Sequence, residues 1–321
     1  MPVPHTSFSD WSSLHPRPGR LAHEIRTDSP RDCQVALLGV PDDTGVTMTG
    51  GRAGARDGPR AFRRALAAYG CDYDAVTGRS LGDIGIYDAG DVNAAGDEMH
   101  HTHDRVTDAV RAILDLGLIP VCIGGGHDLT YPGVRALYRA LREDGDRLGG
   151  INIGPHLEVR ERAGSGMTYR RILEDGEGVV DPANFAAIGL GPFANRLDHL
   201  EWAREKKARL IFFEGDQHDL FDRFEETIEA LRETPNLFAS FDLDMLDASV
   251  APGVSSLNPM GLTPVTASLM ARRIGALENL RYFDLMELSP PHDIEDRTAR
   301  LAAHLFLSFL SGLAERLDGD E

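Results

Sequence analysis

The sequence predicts an α/β protein in which a parallel sheet lies between two layers of helices. Short apolar segments alternate with amphipathic helical patterns along the chain, which is the element order of βαβ units. Some of these segments are continuously apolar, as in residues 34–40, and this is typical of strands buried on both faces. Polar residues suited to catalysis follow directly after several segments, where parallel sheets place their functional sites.

An arm precedes the predicted domain. Residues 1–30 contain Pro, Ser, His and Arg but no periodic apolar pattern, so we expect an irregular arm. No linker, internal repeat or low-complexity tract interrupts residues 31–321. We therefore expect these residues to form one α/β domain.

The first strand and the first helix of the domain flank a glycine-rich loop. Residues 34–40 form the strand, and the loop covers residues 50–59. Pro59 then begins a helix that carries Phe62, Ala65 and Leu66 on one face. The loop lacks the Gly-Lys-Ser/Thr of a P-loop, so we do not expect it to bind phosphate.

The remaining elements follow from the same two patterns. Helices are predicted where apolar residues recur every three or four positions, as Val106, Val110 and Ile113 do. Strands are predicted where a short apolar run meets glycine, proline or polar residues. The predicted strands are 81–85, 118–123, 149–153, 185–190, 210–214, 238–243 and 282–288, and the predicted helices are 97–116, 129–141, 199–207, 218–232, 264–277 and 298–317.

Composition excludes several classes of partner. The chain has 51 acidic and 33 basic residues among 321, a formal net charge of -18, so nucleic acid and anionic membranes are not expected partners. Three scattered cysteines, Cys33, Cys71 and Cys122, favour a reducing compartment, which we take to be the cytoplasm. We see no signal peptide and no apolar stretch of membrane-spanning length.

Two carboxylates mark the end of one predicted strand. Asp242 and Asp244 lie at the end of a mostly apolar predicted strand, residues 238–243, and residues two apart in a strand point to the same side. Two carboxylates at a buried strand end repel each other and raise each other's pKa, and a bound cation relieves this. The alternative is a pair of solvated acids in a turn.

Further potential metal ligands follow other predicted strands. These are His127 after a Gly-Gly-Gly turn, His156 and Glu158 after residues 149–153, and Glu287 in the last strand. Histidines and carboxylates on one rim suit Mn, Zn, Fe or Ni better than Ca or Mg. A dinuclear site of this kind would activate water for attack on an electrophilic carbon.

Each of these residues also has a simpler explanation. His127 could be a turn histidine, Glu158 could pair with Arg160 or Arg162 at the surface, and Glu287 could be a solvated acid. Their joint occurrence at predicted strand ends favours the metal site.

A second histidine cluster is interpreted differently. His100, His101 and His103 lie at the predicted start of a helix. We interpret them as a solvated helix face.

Several motifs, spread over about residues 34–310, together resemble the ureohydrolase family of arginase, agmatinase, guanidino-acid hydrolases and formimidoylglutamase. Three features are most similar to formimidoylglutamase: Gly-Gly-Gly-His-Asp at 124–128, Ser-Gly-Met-Thr-Tyr-Arg at 165–170 and Asp-Ile-Glu-Asp-Arg-Thr-Ala-Arg at 293–300. The family-wide motifs are Gly-Gly-Arg-x-Gly-Ala-x-x-Gly-Pro at 50–59, Ser-Phe-Asp-Leu-Asp-x-Leu-Asp at 240–247, Ala-Pro-Gly-Val-Ser at 251–255 and Asp-Leu-Met-Glu at 284–287.

The resemblance implies a fold, an activity and a set of site residues. It implies about eight parallel strands between helices, a homo-oligomer, and hydrolysis of N-formimidoyl-L-glutamate to glutamate and formamide in histidine degradation. The implied cofactor is manganese, as one or two ions, with another divalent transition metal as the alternative. By position it implies metal ligands at His127, His156, Glu158, Asp242 and Asp244, catalytic roles for Asp242 and Glu287, and substrate binding by Ser165, Arg170 and Glu287.

One segment departs from the family pattern. The family has Asp-Ala-His-x-Asp after the central strand, whereas this chain has Gly154, Pro155, His156, Leu157 and Glu158. Gly154 lacks the first carboxylate, and Glu158 is one methylene longer than aspartate. A lost carboxylate removes a ligand and a negative charge that offsets the cations. We therefore expect at least one metal position to be weakened.

Three hypotheses follow from this departure. The chain could be an active hydrolase in which water or Asp128 compensates, a single-metal enzyme with low or changed activity, or a non-catalytic binding or regulatory protein. The retained Asp242, Asp244 and Glu287 favour an active metal-dependent hydrolase. Among enzymes, the alternative to a formimidoylglutamase is a guanidino-compound hydrolase that releases urea.

Overall fold

A nine-stranded sheet organises the chain. The computed structural model describes residues 3–9, 11–96, 98–141, 147–174 and 180–319. The strands, numbered along the chain, are β1 (Thr6–Ser7), β2 (Val35–Gly39), β3 (Tyr73–Asp74), β4 (Arg79–Ser80), β5 (Ile86–Val92), β6 (Ile119–Ile123), β7 (Leu148–Ile153), β8 (Phe185–Leu190), β9 (Arg209–Phe212), β10 (Asn236–Asp242) and β11 (Leu280–Met286).

The sheet is parallel except at one edge. Its strand order is β1-β5-β2-β6-β11-β10-β7-β8-β9, while β3 and β4 form a separate hairpin. Only β1 runs antiparallel to its neighbour within this described sheet. The prediction of a parallel sheet of about eight strands is therefore confirmed, with one short edge strand added.

Helices cover both faces of the sheet. They are α1 (Leu21–Glu24), α2 (Thr44–Met48), α3 (Gly58–Ala68), α4 (Met99–Asp115), α5 (Thr130–Leu141), α6 (Thr168–Glu174), α7 (Leu197–Glu205), α8 (Gln217–Ala230), α9 (Pro264–Gly275) and α10 (Arg297–Gly319). None of the described helices combines the length and hydrophobicity needed to cross a membrane.

Alternate residues of the central strands divide the core into two layers. In β2, Leu37 packs in the core cluster that includes Phe62 of α3 and Phe306 of α10. Its neighbour Leu38 packs in the other cluster, with Val110 of α4. Because successive side chains of a strand point to opposite faces, a strand buried on both faces must be apolar at nearly every position. This is the continuous apolar run seen in the sequence.

The N-terminal arm packs against its own sheet. Thr6 and Ser7 pair with β5 and extend the sheet at one edge. The Trp11 side chain is buried and its indole N–H donates to Asp88. Leu21 in α1 is fully buried as well. The arm thus contributes to the core of this chain.

Most predicted elements agree with the structure to within a few residues, but the strand predicted at 81–85 is wrong. Residues 81–84 are turns and bends, and the strand is Ile86–Val92. Two acids within this strand conceal its apolar character. Asp88 is nevertheless buried, and it pairs with Arg63 of α3 at 2.7 Å and accepts from the Trp11 indole. Asp97, the predicted start of the next helix, lies outside the described residues, and that helix is described from Met99.

Candidate metal centre and substrate cavity

Four adjacent strands deliver the predicted site residues to one rim of the sheet. The strands lie in the order β6, β11, β10 and β7. His127 follows the end of β6, Glu287 follows β11, Asp242 ends β10, and residues 154–158 follow β7. Since parallel neighbours end at the same edge, residues distant in sequence meet there.

The turn after β6 depends on glycine. Gly125 has φ +61°, and a Cβ at this position would lie 2.2 Å from Leu129 Cδ1 and 2.5 Å from the carbonyl oxygen of Val40. Only a residue without a side chain fits this turn. The turn leads into a single 3₁₀ turn, His127–Leu129, whose first residue faces the ends of the neighbouring strands.

The structure brings the five predicted metal ligands together in two groups. The groups are His127, Glu158 and Asp242, and His156, Asp242 and Asp244. Within each group the potential ligand atoms lie within 4.8 Å of one another. Asp242 belongs to both groups, so one carboxylate is common to them. The backbone N–H of Asp244 donates to Asp242 Oδ1 at 2.8 Å, which fixes the orientation of the shared carboxylate.

The buried acids of this cluster outnumber its histidines: Glu158, Asp242, Asp244 and Glu287 lie with only His127 and His156. Burial, together with the charges of Asp242 and Glu287, raises the pKa of Asp244 well above its usual range. Burial and Asp242 also raise the pKa of Glu287. Burial raises the pKa of Glu158, although His156 and His127 oppose the shift. One or two divalent cations would offset these charges and allow the acids to ionise.

Two unsatisfied atoms and two strained residues fit a ligand-binding role. His127 Nδ1 and Glu287 Oε2 are buried and make no hydrogen bond within the described chain. His127 Nδ1 lies 3.4 Å from Asp242 Oδ2. Glu158 and Glu287 have φ values of +51° and +71°, which are uncommon for residues other than glycine. Buried polar atoms normally have partners. A transition metal would supply the partner of His127 Nδ1, which belongs to a potential ligand group, and Glu287 Oε2 would be left for a second bound group.

A cavity of about 270 Å³ opens over this cluster. Its walls include Arg160, whose guanidinium makes no hydrogen bond or ion pair with another described residue. Ser165 also lines the cavity, and its hydroxyl lies 3.0 Å from that of Thr49. The acidic and histidine residues in its walls are His156, Glu158, Asp244 and Glu287. The cavity thus has acidic residues and two cationic side chains, Arg52 and Arg160, in its walls.

Comparisons with known proteins show which family the chain belongs to. The model of the arginase family matches residues 33–312. This chain belongs to the arginase family. It is 34% identical over 294 residues to a formimidoylglutamase of Ralstonia nicotianae, an alignment that covers 89% of this chain and 87% of that protein. It is also 30% identical to the human mitochondrial guanidino acid hydrolase, over 89% of this chain and 80% of the relative.

A solved arginase-family structure has the same fold. The crystal structure of Trypanosoma cruzi formiminoglutamase with Mn²⁺ matches with a TM-score of 0.85 and 30% identity. The match covers 92% of this chain and 99% of the other. The α/β architecture predicted from the sequence is therefore that of the arginase family.

Gly154 removes a side chain at the centre of this arginase-family site. A Cβ at Gly154 would lie 3.3 Å from Asp242 Oδ2 and 3.4 Å from Asn152 Nδ2. An aspartate there would reach the carboxylate that both ligand groups share. Without it, each group consists of three potential protein ligands.

Arg170 does not lie where its predicted role requires, and this prediction is corrected. It is absent from the residues that line the cavity. Its guanidinium pairs with Glu161 at 3.2 Å and Glu174 at 3.0 Å, and lies 4.7 Å from the ring centroid of Trp202. Ser165 lies in a 3₁₀ turn, whereas Arg170 lies in the helix α6 that follows it. The two side chains therefore have different surroundings. Two arginines, Arg52 and Arg160, do line the cavity. Arg52 donates to the carbonyl oxygen of Pro252 at 3.2 Å, whereas the Arg160 guanidinium makes no side-chain hydrogen bond within the described chain.

The interpretation of the histidine cluster as a solvated face is wrong for one member. His100 and His101 are exposed, but His103 is 2% exposed. His103 Nε2 lies 2.8 Å from Asp128 Oδ2, next to the predicted ligand His127. His103 falls on the buried stripe of α4, one turn before Val106 and two turns before Val110. Asp128, offered above as a substitute metal ligand, contacts this histidine through Oδ2 and belongs to neither group of potential ligands.

Sequence reasoning missed the residues that support His127. Its Nε2 lies 3.0 Å from Ser240 Oγ and 3.1 Å from Tyr169 Oη. Ser240 lies two positions before Asp242 in β10 and therefore on the same face, a signal that could have identified it. Tyr169 comes from α6, which no sequence pattern had identified.

Proposed function

We propose that this chain is a metal-dependent hydrolase that converts N-formimidoyl-L-glutamate and water to L-glutamate and formamide. The observation that carries the proposal is the pair of ligand groups that share Asp242 beneath a cavity containing both Glu287 and Arg160. The formimidoylglutamase names of several relatives support this choice of substrate.

In this proposal, His127, Glu158 and Asp242 would hold one ion, and His156, Asp242 and Asp244 the other. The ions, when bound, would supply Lewis acidity and lower the pKa of water. The protein fixes the donor positions through the turn after β6 and the hydrogen bond between the Asp244 N–H and Asp242. We propose manganese, as one or two ions.

Glu287 and Arg160 would bind the two ends of the substrate. Glu287 Oε1 accepts a hydrogen bond from the His127 backbone N–H at 2.6 Å, which leaves Oε2 for an amidinium N–H. Arg160 presents a planar guanidinium suited to a carboxylate. Together they would align the C–N bond to glutamate over the ligand groups.

The reaction then requires only water as a second substrate. The oxygen of water bonds to the formimidoyl carbon, the bond from that carbon to the glutamate nitrogen breaks, and a proton passes to the departing nitrogen. Formamide and glutamate account for all atoms.

A second candidate function is hydrolysis of a guanidino acid to urea and an amino acid. The similarity to the human guanidino acid hydrolase favours it, because such a substrate also has a planar cation at one end and a carboxylate at the other. The product distinguishes the candidates, since a guanidine releases urea and a formimidoyl group releases formamide.

Three further properties belong to the same proposal. We propose a place in histidine degradation, because that is where formimidoyl-glutamate would be consumed. We propose a homo-oligomer on the family resemblance alone. The cytoplasmic location predicted from the scattered cysteines stays a prediction.

The test is product formation by manganese-loaded protein, with N-formimidoyl-L-glutamate and 4-guanidinobutyrate supplied separately. We expect formamide from the first substrate and little urea from the second. Asp242→Ala is the control, and it should abolish turnover while circular dichroism shows an unchanged fold. Urea as the main product would select the second candidate. No product from either substrate would favour the non-catalytic hypothesis.

A further inference from the structure

The two nitrogens of the His127 ring have different surroundings. Nε2 faces two hydroxyl groups, Ser240 Oγ at 3.0 Å and Tyr169 Oη at 3.1 Å. Nδ1 makes no hydrogen bond among the described residues and faces Asp242. A neutral imidazole carries one N–H and one lone pair. His127 can bind a metal through Nδ1 only if the ring proton lies on Nε2.

Ser240 has one proton, and its position decides what it offers to His127. Ser240 Oγ donates to Asp284 Oδ1 at 2.6 Å. The other oxygen of Asp284 accepts from the Tyr282 hydroxyl at 3.0 Å. Ser240, Tyr282 and Asp284 are all fully buried, so no solvent competes for these hydrogen bonds.

Because the Ser240 hydroxyl already donates its hydrogen bond to Asp284, only the lone pairs of Ser240 Oγ are available to the imidazole. It must therefore accept the hydrogen bond from His127 Nε2–H. This leaves the lone pair of His127 on Nδ1, directed at the first ligand group. The relay from Asp284 through Ser240 to His127 is a hydroxyl-bridged form of the carboxylate–histidine pair that commonly orients metal-binding histidines.

We propose that Asp284 is a positioning residue that fixes the ring tautomer of His127 through Ser240 and so enables His127 to bind metal. The inference rests on the proposed metal centre. It assigns a role to a carboxylate that contacts neither the cavity nor any of the five proposed ligands. Tyr169 is the competing hydroxyl, since a proton donated by Tyr169 to Nε2 would impose the opposite tautomer.

The experiment measures manganese binding, by electron paramagnetic resonance of free Mn²⁺, rather than activity. Ser240→Ala removes the relay but keeps the charge of Asp284. We expect this variant to bind the ion held by His127 with 10- to 100-fold lower affinity, a typical effect of losing such a partner. The affinity for the other ion should stay unchanged. Asp284→Val should do the same, and if it fails to fold the Ser240→Ala result decides.

Two variants serve as controls. Tyr282→Phe removes the other hydroxyl on Asp284 and should leave manganese binding unchanged. Tyr169→Phe should also retain both ions. In zinc-loaded protein labelled with ¹⁵N-histidine, His127 should show an Nε2–H ring. The ¹⁵N shift of that Nε2 should change in Ser240→Ala while the shifts of the His156 ring stay constant, because only His127 lies beside Ser240. A purely structural role would not predict this selectivity.

Three results would overturn the inference. They are unchanged manganese binding by Ser240→Ala, loss of one ion in Tyr169→Phe instead, or an Nδ1–H ring for His127. Manganese binding by the unaltered chain is measured first. If that chain binds no manganese, the metal centre itself fails. If it binds manganese and Ser240→Ala binds it equally well, only the relay fails.

Discussion

At the scale of single residues, the most consequential position is one without a side chain. Gly154 lies beside the shared carboxylate Asp242, where a Cβ would be 3.3 Å from Oδ2. Each ligand group therefore offers three protein donors. A transition metal can be held by three protein ligands with solvent or substrate in the remaining positions, as in many catalytic zinc sites. The site should accordingly bind metal, but less tightly than with a fourth carboxylate.

Gly154→Asp tests this interpretation. The new carboxylate would add a ligand and a negative charge, so we expect manganese affinity to rise by at least roughly tenfold, equivalent to about 1.4 kcal/mol. Calorimetric titration with Mn²⁺ measures the change. Gly154→Ala is the matched control, because it adds the same Cβ without the carboxylate. Equal affinities for the two variants would show that the missing side chain is not what limits binding.

The assignment of the substrate carboxylate also belongs to the residue scale. Arg160→Ala should raise KM for N-formimidoyl-L-glutamate by about tenfold or more, since a hydrogen bond to a charged group contributes about 1.5–3 kcal/mol. Arg170→Ala is the matched control and should leave KM nearly unchanged, because Arg170 is occupied by Glu161 and Glu174. A larger KM effect at Arg170 than at Arg160 would show that Arg170, and not Arg160, binds the substrate carboxylate. Steady-state kinetics on both variants decides.

At the scale of elements, the turn after β6 determines where His127 points. Gly125 has a left-handed backbone conformation and is tightly surrounded by Leu129 and Val40. Its neighbour Gly124 also has a positive φ, +97°. These constraints make the turn rigid. The turn connects the end of the buried strand β6 to the proposed ligand His127 without a longer loop.

Gly125→Ala should therefore destabilise the protein. The left-handed conformation costs about 1–2 kcal/mol for alanine, and forcing an extra methyl into a packed site adds about 1–3 kcal/mol. Gly117→Ala is the control, because Gly117 has φ +76° with nothing within 4 Å of a Cβ. Gly117→Ala should lower the free energy of unfolding only by the cost of the left-handed conformation. Urea unfolding of both variants measures the difference, and equal losses would refute a packing constraint at Gly125.

At the scale of the whole molecule, the site concentrates buried negative charge at one rim of the sheet. Glu158, Asp244 and Glu287 all have raised pKa values, because burial disfavours their ionised forms. A cation that binds only the folded chain stabilises it by mass action. Function and stability are thus coupled through the same group of acids.

Manganese should accordingly raise the thermal stability of the chain. At a hundredfold excess over Kd, one bound ion adds about 2.7 kcal/mol to the free energy of unfolding, and EDTA should reverse the effect. Asp242→Ala should lose the manganese-dependent increase in Tm, because both ligand groups contain Asp242. Differential scanning calorimetry measures the shift. A Tm of the unaltered chain that is insensitive to manganese would argue against an intact metal centre.

The sequence by itself determined the architecture and most of the candidate ligands. Buried parallel strands need apolar residues on both faces, so β2, β6 and β10 were evident as continuous apolar runs. Residues that follow such strands meet at one rim, so His127, His156, Glu158, Asp242, Asp244 and Glu287 could be grouped before any coordinates. The local sequence pattern suffices for these features, because the carboxyl ends of parallel strands all lie at the same rim of the sheet.

Only the tertiary structure decided which side chains face one another. Strand β5 was missed because the buried Asp88 depends on partners distant in sequence, Arg63 and Trp11, and no local pattern reveals them. Arg170 and Arg160 differ in their partners, not in their chemistry, so the sequence could not choose between them. His103 and Asp284 gain their roles from partners on other elements. Burial and hydrogen bonding are properties of packed neighbours, and these neighbours are defined only when the sheet and its helices come together.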